Sequence, residues 1–189
     1  MRLGILGGTF NPIHLGHLVL AECAREQAQL DQVWLIPTAV PPHKPARDVV
    51  PAQARLAMIR LAIRGHPALR ACDLEIRRGG LSYTLHTLRE IHRRYPRARL
   101  FVIVGSEMLG VAWYGLKDIA RMCTFLVVSR DGRIVRPRGL RIRRLEMPQI
   151  ALSSSMIRAR LRRGQSIRFL VPESVARSLH RRRLYRRPR

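Results

Sequence analysis

Gly7-Gly8-Thr9-Phe10-Asn11-Pro12-Ile13-His14-Leu15-Gly16-His17 joins a short apolar run, Arg2-Leu3-Gly4-Ile5-Leu6, to a stretch of helical spacing that starts at Leu15. The run has the length and character of a buried strand, and the two glycines mark where the backbone turns sharply. From Leu15 onward, Leu18, Val19, Ala21, Glu22 and Arg25 divide into apolar and charged faces, which predicts a helix. A strand end facing a helix start is the corner of an open parallel sheet where ligands bind. Glycines let a phosphate reach the main chain, and the N–H groups and macrodipole of a helix start favour an anion there. His14 and His17 are three apart and share a helix face, with Gly16 leaving room between them, so two imidazoles can donate to one phosphate. Phosphoryl transfer asks for such positioning and charge stabilisation more than for a nucleophile from the protein. The same pair would suit two surface histidines or part of a zinc site, but no third His, Cys or carboxylate stands at a convincing ligand spacing nearby.

Further apolar runs at 32–37, 100–105 and 123–129 alternate with helical patterns, which predicts a Rossmann-like, doubly wound α/β fold with a mostly parallel sheet. At 189 residues and 47% hydrophobic the chain supports one buried core: a single domain over 1–180, followed by an Arg-rich tail, 181–189. No apolar stretch reaches 18 residues and the N-terminus enters a strand, so a cytoplasmic protein without a membrane partner is expected. Cys23, Cys72 and Cys123 are far apart and form no CxxC pair, which suggests neither a disulfide framework nor a structural zinc. The formal net charge is +24, and of 36 basic residues only Lys44 and Lys117 are lysine. Such a field attracts polyanions, but arginines spread from Arg2 to Arg189 with 5% aromatics make no base-stacking platform, so no specific nucleic acid is expected. Neither GxxxxGK[S/T] nor GxGxxG is present, which disfavours a kinase or an ordinary dehydrogenase.

Beyond the run at 32–37, three prolines in Pro41-Pro42-His43-Lys44-Pro45 stiffen a loop carrying one of the two lysines, a hint that a compact ammonium is wanted there. Residues 51–64 read as a packing helix, with Arg55 and Arg60 off its apolar face, and 69–76 as a strand. Ser82 or Thr84 can cap the helix that carries Leu85, Leu88 and Ile91. At the end of the run 100–105, Gly105 permits close packing of an adenine or ribose. Glu107 there is either a helix-start carboxylate or an acceptor for sugar hydroxyls. Trp113 and Tyr114 are core lids or a stacking surface for a planar ring. Residues 141–146 suggest a last strand, and Ser153, Ser154 and Ser155 open a helix with Arg158 one turn in.

These blocks together resemble the nicotinate-nucleotide adenylyltransferases, which share HxGH with class I aminoacyl-tRNA synthetases. The similar segments are GGTFNPIHLGH, PPHK, GGLSYTLHTL, the Gly105 block, the Trp113-Tyr114 pair, LSSSMIR and VPESV, and they run from Leu3 to about Leu179. The resemblance implies transfer of the adenylyl group of ATP to nicotinate mononucleotide, with Mg²⁺ carried on the ATP phosphates and no metal ligand from the protein. It implies His14, His17, Lys44 and Arg158 as catalytic residues, and ATP binding by Gly7, Gly8, Thr9, Phe10, Gly16, Gly105, Glu107, Ser153, Ser154 and Ser155. Asn11, Ser82, Tyr83, Thr84, Trp113, Tyr114 and Arg130 would hold the acceptor. Asn11, His86 and Glu107 each stand where Asp is usual in the family. The alternatives are another phosphorylated acceptor, nicotinamide mononucleotide or pantetheine phosphate, or a basic RNA-binding protein on a retired nucleotidyltransferase fold.

Overall fold

The computed structural model describes residues 1–41, 49–129, 134, 137 and 139–185. In chain order the elements are β1 (Arg2–Gly8), α1 (Leu15–Gln27), β2 (Gln32–Pro37), α2 (Ala52–Ala62), β3 (Leu69–Ala71), α3 (Leu74–Arg78), α4 (Thr84–Arg94) and β4 (Arg99–Gly105). A 3₁₀ turn (Ser106–Gly110) leads to α5 (Leu116–Met122), β5 (Cys123–Val128), β6 (Ile142–Leu145), α6 (Ser154–Arg162) and α7 (Glu173–Arg181).

The sheet order is β3-β2-β1-β4-β5-β6, and every pairing is parallel. Strands of such a sheet are covered on both faces, which is why they read as unbroken apolar runs. Alternate residues serve the two faces. Leu6, Leu35, Ile103 and Leu126 pack with α1, α2, α6 and α7, whereas Leu3, Ile5, Val102, Phe125 and Val127 pack with α3, α4 and α5. The chain winds outward from β1 through β2 to β3, then restarts beside β1 with β4 and winds the other way. The reversal opens a crevice at the carboxyl ends of β1 and β4, which is where ligands bind in open α/β sheets.

Gly4 shows how tightly β1 is pressed between its neighbours. A β-carbon there would lie 2.7 Å from Leu30 Cδ1, 3.1 Å from Val33 Cγ2 and 3.2 Å from Ile103 Cδ1. Gly4→Ala gains a little from a stiffer unfolded chain, but overpacking three buried side chains outweighs it, at about 1–3 kcal/mol. A thermal melt should show Tm lowered by about 3–10 °C; an unchanged Tm would mean that the core yields there at no cost.

Two local expectations need correction. The predicted strand 69–76 ends at Ala71, and Leu74–Arg78 is helical with Leu74 and Glu75 buried. Short apolar runs do not distinguish strand from helix by spacing alone; here Arg77 also pairs with Asp73 at 3.0 Å, an i,i+4 contact that suits a helix. Ser82 does not cap α4: Tyr83 is at the N-cap with no side-chain bond, and Ser82 Oγ accepts from Ala39 N–H at 2.9 Å. Among the described residues no helix is long and apolar enough to cross a membrane.

Candidate active site

The crevice is a cleft of about 910 Å³. One wall is the turn after β1 with the start of α1, contributing Gly7, Gly8, Thr9, Phe10, Asn11, His14, Gly16 and His17. Opposite stand the start of α4 (Ser82, Tyr83, Thr84) and the connection after β4 (Gly105, Glu107, Trp113, Tyr114), and α6 closes one side with Ser153, Ser154, Ser155 and Arg158. Segments from both ends of the fold thus meet in one place, and all but two of the expected site residues line it. The two exceptions, Lys44 and Arg130, lie outside the described residues.

His14 occupies the N-cap of α1, and its main-chain N–H donates to His17 Nδ1 at 3.3 Å. A ring nitrogen that accepts an N–H carries no proton, so a neutral His17 holds its hydrogen on Nε2, across the ring. The two imidazoles stack with centroids 3.7 Å apart and planes inclined by 28°. Gly16 gives this arrangement room: a β-carbon there would sit 3.2 Å from His14 Nδ1, a tight contact from which the ring would have to shift slightly. Phe10, 2% exposed, meets the His17 ring edge-on at 5.0 Å and supports it from the core side. The backbone of Phe10 takes φ 47°, and the Asn11–Pro12 bond that follows is cis.

The second helix start is tied to the first. Ser153 Oγ accepts from Met156 N–H at 3.2 Å, a true N-cap. Ser154 Oγ donates to the Pro12 carbonyl at 2.8 Å, and Arg158 donates one guanidinium nitrogen to the Asn11 carbonyl at 3.0 Å and another to Ser155 Oγ at 3.3 Å. Two N-terminal helix ends, each with a positive dipole, therefore converge on one turn, with Arg158 between them.

Across the cleft, Trp113 is anchored rather than loose. Its Nε1–H donates to the Met108 carbonyl at 2.7 Å, and its ring stands edge-on to Phe125 at 5.4 Å. Tyr114 is 57% exposed and faces Tyr83 at 5.0 Å. Glu107 folds its carboxylate back over Gly105, and a β-carbon at Gly105 would overlap it. Both residues line the cleft.

Sequence reasoning missed three features. Arg55, placed off the apolar face of its helix, is 1% exposed. It donates to the carbonyls of Val50 (3.0 Å), Thr9 (2.9 Å) and Ala39 (3.2 Å), and burial holds its pKa below the ordinary arginine range. Its position four residues before Ile59 was the available signal. Glu75, also buried, accepts from Thr87 Oγ1 at 2.6 Å while Arg78 donates to the same hydroxyl at 3.1 Å, locking α3 to the start of α4. The third is Tyr185, beyond α7, whose hydroxyl donates to Asn11 Oδ1 at 2.6 Å; no local pattern announces it.

A family model described as Cytidylyltransferase-like matches residues 5–160. A relative from Salinibacter ruber named "Probable nicotinate-nucleotide adenylyltransferase" is 42% identical, with 98% of both chains covered. One of the same name from Exiguobacterium sibiricum is 40% identical, covering 98% of this chain and 99% of the relative. The chain belongs to the nicotinate-nucleotide adenylyltransferase family. Among solved structures, a "Plasmodium falciparum nicotinic acid mononucleotide adenylyltransferase complexed with NaAD" shares the fold, with TM-score 0.79, 17% identity and 97% of each chain covered.

Each departure from the usual nicotinate-nucleotide adenylyltransferase residues has a local setting. Asn11 is 4% exposed, and its Oδ1 accepts from Val50 N–H as well as from Tyr185, a task for which an amide oxygen suffices. His86 packs against Tyr114 at 5.6 Å and Tyr83 at 5.9 Å, as an aromatic partner rather than an anion. Glu107, one methylene longer than Asp, reaches back over Gly105.

Proposed function

We propose that this cleft joins ATP to nicotinate mononucleotide, giving nicotinate adenine dinucleotide and pyrophosphate, and that the protein does so in the cytoplasm. The carrying observation is the meeting of two helix N-termini and a guanidinium on one turn, faced by an aromatic wall at the other side. A phosphate oxygen of the mononucleotide attacks the α-phosphorus of ATP. The new P–O bond forms as the bond to the β-phosphate bridging oxygen breaks, and pyrophosphate leaves with the electron pair. His17 Nε2–H and His14 stabilise charge on the α-phosphate, while Ser154, Ser155 and Arg158 hold the departing oxygens. Lys44 and Arg130 are assigned to substrate phosphates.

No step passes through a covalent enzyme intermediate. Burial raises the thiols of Cys23, Cys72 and Cys123, the last to about 12, and none of the three lines the cleft. Mg²⁺ would be carried by the ATP phosphates and would neutralise part of their charge. Among the described residues no group of three or more His, Cys, Asp or Glu is placed to hold it.

The acceptor's carboxylate is assigned to the start of α4, where unpaired helix N–H groups favour an anion over a neutral carboxamide. Pyrophosphate release should therefore be fastest with nicotinate mononucleotide, by about tenfold or more over nicotinamide mononucleotide. Faster release with pantetheine phosphate, or none with any acceptor, would overturn this reading.

A further inference from the structure

The segment that follows α7 reaches the turn after β1. After α7 the backbone turns back, Leu184 N–H bonding to the Leu179 carbonyl at 3.2 Å, and Leu184 and Tyr185 pack against the core cluster under α1 and α6. Tyr185 holds φ 65°, a left-handed conformation that an aromatic residue takes only when its surroundings enforce it. Its hydroxyl lies 2.6 Å from Asn11 Oδ1. The carbonyl of that same Asn11 receives Arg158 at 3.0 Å, and the carbonyl of Thr9, two residues earlier, receives Arg55 at 2.9 Å.

We propose that Tyr185 is a positioning residue for adenylyl transfer: by holding the Asn11 side chain it fixes the turn to which Arg158 is bonded, and so sets where that guanidinium meets the phosphates. The inference rests on the activity proposed above. Asn11 is the hub because its two oxygens bind different things, Oδ1 taking Tyr185 and Val50 and the main-chain oxygen taking Arg158. An amide oxygen has two lone pairs, and Tyr185 O–H and Val50 N–H fill both. Without the phenol, Oδ1 keeps only the Val50 N–H of these two bonds and the turn loses its tie to the segment after α7, so the carbonyl that Arg158 bonds is held less closely. Arg158 has little else to orient it: besides this carbonyl it bonds Ser155 Oγ on its own helix, and its buried Nε has no partner among the described residues. Burial raises the phenol's pKa against the pull of Arg158 and Arg55, so Tyr185 stays a hydrogen-bond donor across the working pH range.

The test is a cycle of Tyr185→Phe, Arg158→Lys and the double variant in the full-length protein, read by turnover and by ATP binding in calorimetry. Tyr185→Phe keeps the ring and removes only the donor, so kcat should fall about tenfold, with the acceptor KM within about twofold and Tm lowered by only a few degrees. Arg158→Lys loses the planar fork whose placement Tyr185 sets. Adding Tyr185→Phe to it should therefore cost less than about twofold more, both in kcat and in ATP affinity. A kcat for Tyr185→Phe within about twofold of wild type overturns the proposal, and so do effects that multiply in full. The ATP-binding cycle involves no acceptor. Wild-type protein inactive toward nicotinate mononucleotide defeats the activity reading, whereas absence of coupling in ATP binding defeats this one.

Discussion

His17→Ala should lower kcat by about 10²–10³-fold, while the protein stays folded and its ATP KM changes little. The imidazole matters through one atom. Because Nδ1 accepts the His14 N–H, a neutral ring carries its hydrogen on Nε2, and His17 lines the cleft with its tautomer set before the reaction. Charge on the α-phosphate oxygens is greatest in the transition state, so losing this donor falls on turnover more than on binding. The structural cost is modest. Alanine is a good helix former, and the losses include one hydrogen bond, the stacking on His14 and the edge contact with Phe10, about 1–2 kcal/mol. Steady-state pyrophosphate release and a thermal melt on the same preparation separate the two effects. Turnover within about tenfold of wild type at unchanged Tm would remove His17 from its role.

What could be read from the chain before its fold was known follows the range of the physics. Strands β1, β2, β4 and β5 are apolar runs ended by glycine, proline or a polar residue, so burial on both faces writes them into the local sequence. His14, Gly16 and His17 are equally local, since the spacing itself places two rings on one face and removes the side chain that would separate them. The gathering of the site was also foreseeable in outline, because parallel strands bring their carboxyl ends to one edge whatever the loops contain.

The failures are of another kind. Leu74–Arg78 has too few residues to display a period, and burial of Leu74 and Glu75 decides its conformation. Ser82 is equally suited to capping a helix or to receiving an N–H from another strand exit; Ala39, 43 residues away, takes it. The bond from Tyr185 to Asn11 spans 174 positions, and nothing near either residue requires the other. Sequence patterns report which surface is buried; which polar group answers which is settled only when distant segments meet.

Arg55→Ala should destabilise the protein strongly, by about 3–5 kcal/mol, lowering Tm by about 6–20 °C. This buried cation is held by the carbonyls of Thr9, Ala39 and Val50 and by the Thr38 hydroxyl, and the three carbonyls are in turn satisfied by it. Removing the guanidinium leaves those three oxygens in a dry site and opens a cavity under the turn. Both consequences act at the same place, because Thr9 belongs to the turn after β1 and Ala39 to the exit of β2. Arg55→Lys tests the geometry separately from the charge. One ammonium has three donors on a point rather than five on a planar fork, so it can reach some of the carbonyls but not all of them in their present directions. Stability should recover in part, by about 1–2 kcal/mol over alanine, while turnover stays well below wild type because the Thr9 carbonyl is no longer held where Asn11 and Arg158 need it. A lysine variant with full activity and full Tm would mean that any buried cation suffices beneath this turn, and that the fork has no part in shaping it.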